Sequence, residues 1–179
     1  AISGTEWGEF LCRVFDRWYP RDVRRVSVRL FDTIIEQLVY GRCNTCAAGT
    51  SCDQYFVVEH NGDLYTCDFF VDREHALGNL LARPLTEAAT GEDFAAFAAA
   101  KGEVSVGCQA CEWLSFCQGG CQKHRVFAGR VSGQGRCEGT PVHATYLCRA
   151  YRRFFAHAVP ALQEVVAEMA QTGEPGSET

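Results

Sequence analysis

Cysteine placement constrains this chain more than any other feature. One stretch reads Cys52-x9-Gly62-x4-Cys67, and a second reads Cys108-x2-Cys111-x5-Cys117-x3-Cys121. Cys46 precedes the first stretch and Cys148 follows the second. Eight thiolates suffice for two tetrathiolate metal sites. The remaining cysteines of the 11 are Cys12, Cys43 and Cys137.

An odd number of cysteines fits a disulfide framework poorly. The chain opens Ala1-Ile2-Ser3-Gly4-Thr5, without the basic and apolar regions of a secretory signal. No stretch reaches the ~20 apolar residues of a membrane span. Metal-bound thiols in a reducing, cytoplasmic compartment are therefore expected. At 179 residues and 47% hydrophobic content, a packed core is affordable. A net charge of -5 argues against nucleic acid as a partner.

Residues 5–18 place Trp7, Phe10, Leu11, Val14, Phe15 and Trp18 on one face of a helix, which Pro20 is expected to stop. Val26, Val28 and Leu30 alternate as a short strand does, and Asp32 to Val39 reads as helix again. This helix, strand, helix fragment looks like the tail of a larger α/β domain. Residues 53–71 read as a hairpin, with Tyr55 to Glu59 and Leu64 to Asp68 paired across an Asn61-Gly62 turn. That turn would set Cys67 opposite Phe56. Pro84 to Ala100 predicts one or two short helices capped by Gly102. Residues 103–137 read as mostly irregular. His143 to Gln171 reads as helix broken near Pro160, and Gly173 to Thr179 as a frayed tail.

Iron–sulfur clusters take tight cysteine runs plus a distant ligand. Structural zinc favours paired Cys-x2-Cys knuckles. Cys108/Cys111 and Cys43/Cys46 could form such a pair, but zinc would leave Cys52, Cys67, Cys117, Cys121 and Cys148 unexplained.

The cysteine runs resemble the SPASM domain, the auxiliary-cluster domain of a class of radical S-adenosylmethionine enzymes. Surrounding residues resemble the anaerobic sulfatase-maturating enzymes: Glu59-His60-Asn61-Gly62-Asp63, Tyr65-Thr66-Cys67-Asp68, Leu77-Gly78-Asn79, Cys111-Glu112-Trp113-Leu114, Gly119-Gly120-Cys121-Gln122-Lys123-His124-Arg125 and Tyr146-Leu147-Cys148. Gln122 stands where the family has proline. The likeness runs to about residue 158, and Trp7 to Asp32 resembles the last helix and strand of the family's barrel.

The resemblance implies an α+β fold: the tail of a partial TIM-type (β/α) barrel over 1–42, a SPASM domain with a β-hairpin and short helices over 43–158, and a C-terminal helix and tail over 159–179. It implies two auxiliary [4Fe–4S] clusters, one on Cys46, Cys52, Cys67 and Cys121, the other on Cys108, Cys111, Cys117 and Cys148. Asp68 matches the family's general base. The activity implied is oxidation of a Cys or Ser of a sulfatase polypeptide to Cα-formylglycine. Implied partners are that substrate, the barrel portion with S-adenosylmethionine and a third cluster, and an electron donor such as flavodoxin or ferredoxin. The radical-cluster motif Cys-x3-Cys-x2-Cys is absent, because Cys117-x3-Cys121 is followed by His124. The chain is thus expected to be the C-terminal half of such an enzyme and inactive alone.

Competing readings stay open. Cys43 competes with Cys46, whose spacing to Cys52 and Cys67 matches the family. Cys137 competes with Cys148. Asp68 alone reads as a polar strand-end residue, Cys12 as core filler, and His124 and His157 as surface histidines. Lys123, Arg125, Arg149, Arg152 and Arg153 read either as a solvated face or as charge compensation near anionic clusters. Other functions are a different SPASM peptide modifier, forming thioether or carbon–carbon crosslinks, and a standalone electron-transfer module.

Overall fold

The computed structural model describes residues 2–128 and 140–172. Cys137 and the expected tail at Gly173 to Thr179 lie outside the described residues. Helix α1 (Gly4–Asp22) opens with a capping box, in which Ser3 accepts from the Glu6 amide and Glu6 accepts from the Ser3 amide. Helix α2 (Arg29–Tyr40) ends at Gly41, whose φ of 67° supplies the left-handed cap. The long helix α7 (Cys148–Thr172) packs against both. Their shared core holds Leu11, Phe15, Trp18, Phe31, Ile34, Phe154, Phe155 and Leu162. Gly8 lets α1 and α7 approach closely, since a Cβ there would lie 3.1 Å from Ala150 Cα.

Two prolines expected to end helices do not. Pro20 lies inside α1 and Pro160 inside α7. Burial of neighbours overrides the lost backbone bond: Trp18 packs edge-on against Phe31, and Val159 and Leu162 are in the core. The expected strand at Val26 to Leu30 is absent. Arg29 and Leu30 begin α2, Val28 is its N-cap, and the Trp18 indole donates to the Val26 carbonyl at 2.6 Å. Val28 and Leu30 pack on the helical core, and the turn finds no strand to pair with.

Strands β1 (Val57–Val58), β2 (Asp63–Tyr65) and β3 (Ala76–Asn79) form an antiparallel sheet in that order. The hairpin exists, but its loop is His60, Asn61 and Gly62, closed by the Glu59 amide on the Asp63 carbonyl at 2.8 Å. Gly62 has φ 89°, as three-residue hairpin loops demand. Pairing of Val57 with Tyr65 moves the register by one residue from the two-residue-turn expectation. Cys67 therefore falls level with Tyr55, and Phe56 turns instead to a second core with Leu64, Leu77 and Phe94.

Helices α3 (Leu85–Ala89) and α4 (Glu92–Ala100) cover that core. Gly102 is not a left-handed cap; the α4 C-cap is Lys101 in a right-handed conformation. Single-turn helices α5 (Val106–Gln109) and α6 (Leu114–Cys117) carry the next cysteines. Strands β4 (Arg125–Ala128) and β5 (Thr140–Thr145) pair antiparallel, so His143, expected in a helix, lies in a strand. The fold is α+β, helix-rich with small antiparallel sheets.

Candidate metal centre

The cysteines occupy the joints between elements. Cys46 begins a short 3-10 helix, Cys46–Ala48. The Cys52 amide donates to the Ala98 carbonyl at the end of α4. Cys67 follows β2, and Cys121 follows a turn of three left-handed residues, Gln118 (φ 45°), Gly119 (φ 74°) and Gly120 (φ 72°). Cys46, Cys52, Cys67 and Cys121 line one recess open to solvent, together with Tyr55 and Thr66. Gly120 is needed at its position, because a Cβ would stand 2.8 Å from Thr145 Cβ.

The other four cysteines lie along a separate path. Cys108 is in α5, with its amide capped by Ser105, and the Cys111 amide donates to the Cys108 carbonyl at 3.0 Å. Cys117 ends α6 and Cys148 begins α7. The left-handed turn after Cys117 is closed by the Gly120 amide on the Cys117 carbonyl at 2.7 Å.

Electrostatics sort the thiols in the same way. Burial raises the pKa of Cys52, and the Cys121 and Cys46 thiols raise it further. Burial pushes Cys67 up to about 11, with smaller contributions from Asp68 and Cys121. Burial likewise pushes Cys117 up to about 11, with Cys108, Cys111 and Cys148 adding to it. Cys148 is raised by burial and then by Cys108 and Cys111. Cys43 joins neither group: its thiol donates to Gln37 Oε1 at 3.4 Å and to the Ser115 carbonyl at 3.6 Å. Cys12 is buried in the α1 core.

Among the described residues, no three His, Cys, Asp or Glu side chains are close enough to hold a single metal ion. A mononuclear zinc site needs four sulfurs around one ion at about 2.3 Å. A polynuclear cluster binds each thiolate to a different iron and so spreads its ligands around a larger space. An all-thiol donor set around a recess suits the second arrangement. Thr66 is among the residues lining that recess, and its buried Oγ1 has no hydrogen-bond partner among the described residues. An unpartnered buried hydroxyl there fits a group that accepts from it.

Asp68 is exposed, and the Cys67 thiol donates to its Oδ1 at 3.2 Å. The strand ends at Tyr65, so alternation no longer governs residues 67 and 68. Asp68 is thus not the last residue of a strand. The Tyr55 phenol sits 3.1 Å from Cys46 Sγ, and that contact, then burial, raises its pKa.

The basic residues have separate fates. Arg125 donates into the site's backbone, to the carbonyls of Lys101 at 2.5 Å and Gln118 at 3.2 Å. Lys123 lies over the Phe70 ring at 4.7 Å. Arg153 pairs with Glu9 at 3.1 Å and His157 with Asp16 at 2.6 Å, tying α7 to α1. Sequence reasoning missed Tyr55, Thr66 and Lys101. Lys101 ends an Ala-rich helix, where lysine ordinarily reads as a solvated C-terminal charge.

This donor set and fold define a class. Residues 43–112 match the SPASM family, an iron–sulfur cluster-binding domain. Along nearly its whole length the chain is similar to the anaerobic sulfatase-maturating enzymes. It is 30% identical over 178 residues to the serine-type enzyme of Bacteroides thetaiotaomicron, covering 99% of this chain and 41% of that protein. It is 31% identical over 167 residues to the cysteine-type enzyme of Clostridium perfringens strain 13, covering 92% and 43%. The solved structure of native anSMEcpe with bound AdoMet and Cp18Cys peptide superposes with a TM-score of 0.81 at 29% identity, over 94% of this chain and 45% of that one. The chain thus spans under half the length of these relatives. Among the described residues, no helix is long and apolar enough to cross a membrane.

Proposed function

We propose that this chain is the auxiliary-cluster portion of a radical S-adenosylmethionine enzyme that matures sulfatases by oxidising a Cys or Ser to Cα-formylglycine. What supports this reading is that Cys46, Cys52, Cys67 and Cys121 line one recess, while Cys117 feels Cys108, Cys111 and Cys148. Cys46, Cys52, Cys67 and Cys121 would hold one [4Fe–4S] cluster, and Cys108, Cys111, Cys117 and Cys148 the other. When bound, the clusters supply a sink for the electron that leaves the substrate side chain.

The chain's own residues do the rest. The left-handed Gln118 to Gly120 turn separates Cys117 from Cys121 and would let each serve a different cluster. The Thr66 hydroxyl supplies a donor in the first recess. Asp68, exposed beside Cys67, is the general base that takes the substrate's proton on a carboxylate oxygen. Its exposure leaves it open to a substrate on that side.

Residues 1–42 complete the end of the barrel, 43–158 form the SPASM unit, and 159–179 the closing helix and tail. The barrel portion would bring S-adenosylmethionine and a third cluster. A sulfatase polypeptide is the substrate, and a cytoplasmic flavodoxin or ferredoxin the reductant. Without Cys-x3-Cys-x2-Cys, this chain alone produces no 5′-deoxyadenosine from S-adenosylmethionine.

Anaerobic reconstitution tests the reading. It expects about eight iron and eight sulfide per chain, four of each per cluster. Stoichiometric zinc without sulfide overturns it.

A further inference from the structure

Lys101 is fully buried, at 0% exposure. Its ammonium donates to three backbone carbonyls: Ala47 at 3.3 Å, Gln118 at 3.1 Å and Gly120 at 2.7 Å. Ala47 follows Cys46, Gln118 follows Cys117, and Gly120 precedes Cys121. One side chain therefore grips the backbone beside candidate ligands of both groups. Arg125 backs it, sharing the Gln118 carbonyl and holding the carbonyl of Lys101 itself.

None of these acceptors carries a full negative charge. Burying an ammonium against neutral carbonyls alone is costly. Burial accordingly pulls the Lys101 pKa down to about 8, with Arg125 adding to the drop. Cys52, Cys121 and Cys117, once deprotonated by ligation, offset that cost, since each favours the charged lysine.

We propose that Lys101 is a positioning residue shared by both thiol groups: it pins the Cys117–Cys121 turn and sets one fixed positive charge between two anionic clusters. This rests on the reading that both groups hold clusters. Adding an electron makes a cluster more anionic, so a nearby buried cation favours the reduced form and raises the reduction potential. Removing that charge lowers the potential of both clusters together.

The test compares the parental chain with Lys101→Met, Lys101→Gln and Lys101→Arg after anaerobic reconstitution. Iron and sulfide are counted, and midpoint potentials are read by spectroscopic redox titration. Gln keeps hydrogen-bond donors without charge, and Arg keeps charge. Both neutral variants are expected to lose about tenfold in the reduction equilibrium of each cluster, ~59 mV for a one-electron couple. The Arg variant should stay near the parent. Parental potentials in loaded Met and Gln variants overturn the proposal and leave the cluster reading intact. If neither neutral variant loads, recovery of loading by Arg supports the proposal, and failure of Arg as well overturns it. A parental chain that takes up no iron and sulfide defeats the cluster reading itself, and the proposal with it.

Discussion

The Cys67 thiol donates to Asp68 Oδ1 at 3.2 Å. A candidate ligand and a candidate base thus share one hydrogen bond. Loading a metal removes that thiol proton and frees the carboxylate to accept from something else.

Asp68→Asn, made in the enzyme that includes the barrel, keeps the shape and removes the basic oxygen. Iron content should be unchanged, and formylglycine formation should fall by ~10²–10⁴-fold, the usual contribution of a general base. Mass spectrometry of a sulfatase-derived peptide reads the product. A parental rate in the Asn variant would reduce Asp68 to a polar turn residue.

Cluster loading should depend on pH with a definite sign. Cys67 and Cys117 have pKa values pushed up to about 11, so both are protonated at neutral pH. Ligation requires thiolate, so each proton must be displaced. Loading should therefore strengthen as pH rises from about 6.5 to 8.5, with proton release that calorimetry in buffers of differing ionisation heat can measure. Uptake indifferent to pH over that range would contradict these thiol environments.

Gly120→Ala tests the turn between the two groups. Its φ of 72° is strained for any L side chain, and the new Cβ would meet Thr145 Cβ at 2.8 Å. We expect a loss of ~1–3 kcal/mol in thermal or denaturant unfolding, from overpacking. Iron on the first group should fall with it, because Cys121 is the next residue. Wild-type stability with full iron would show that the turn tolerates a side chain.

Phe31→Ala should act far from the cysteines. Phe31 is fully buried between Trp18, Phe15 and Phe154, with ring centroids 5.0, 5.4 and 5.4 Å away. The truncation should cost ~3–5 kcal/mol of stability. The melting temperature reads it. An effect below 1 kcal/mol would mean that α1, α2 and α7 do not share one core.

The sequence by itself determined the local pieces. Amphipathic spacing placed α1, Asp32 to Val39 read as helix within α2, and Asn61-Gly62 located the hairpin. The cysteine spacings, with the residues around them, marked an iron–sulfur domain of the SPASM type. These signals are local because periodicity, turn chemistry and short ligand runs act over a few residues. Tertiary structure decided what depends on distant partners. It replaced the strand at Val26 to Leu30 with a turn and carried two helices through Pro20 and Pro160. It shifted the hairpin register by one residue and turned Asp68 towards Cys67. Above all it buried Lys101 against the backbone beside Cys46, Cys117 and Cys121, in contact with carbonyls 17, 19 and 54 residues away in sequence. Burial and long-range electrostatics arise only when those segments meet, so a lysine at a helix end carries no local sign of them.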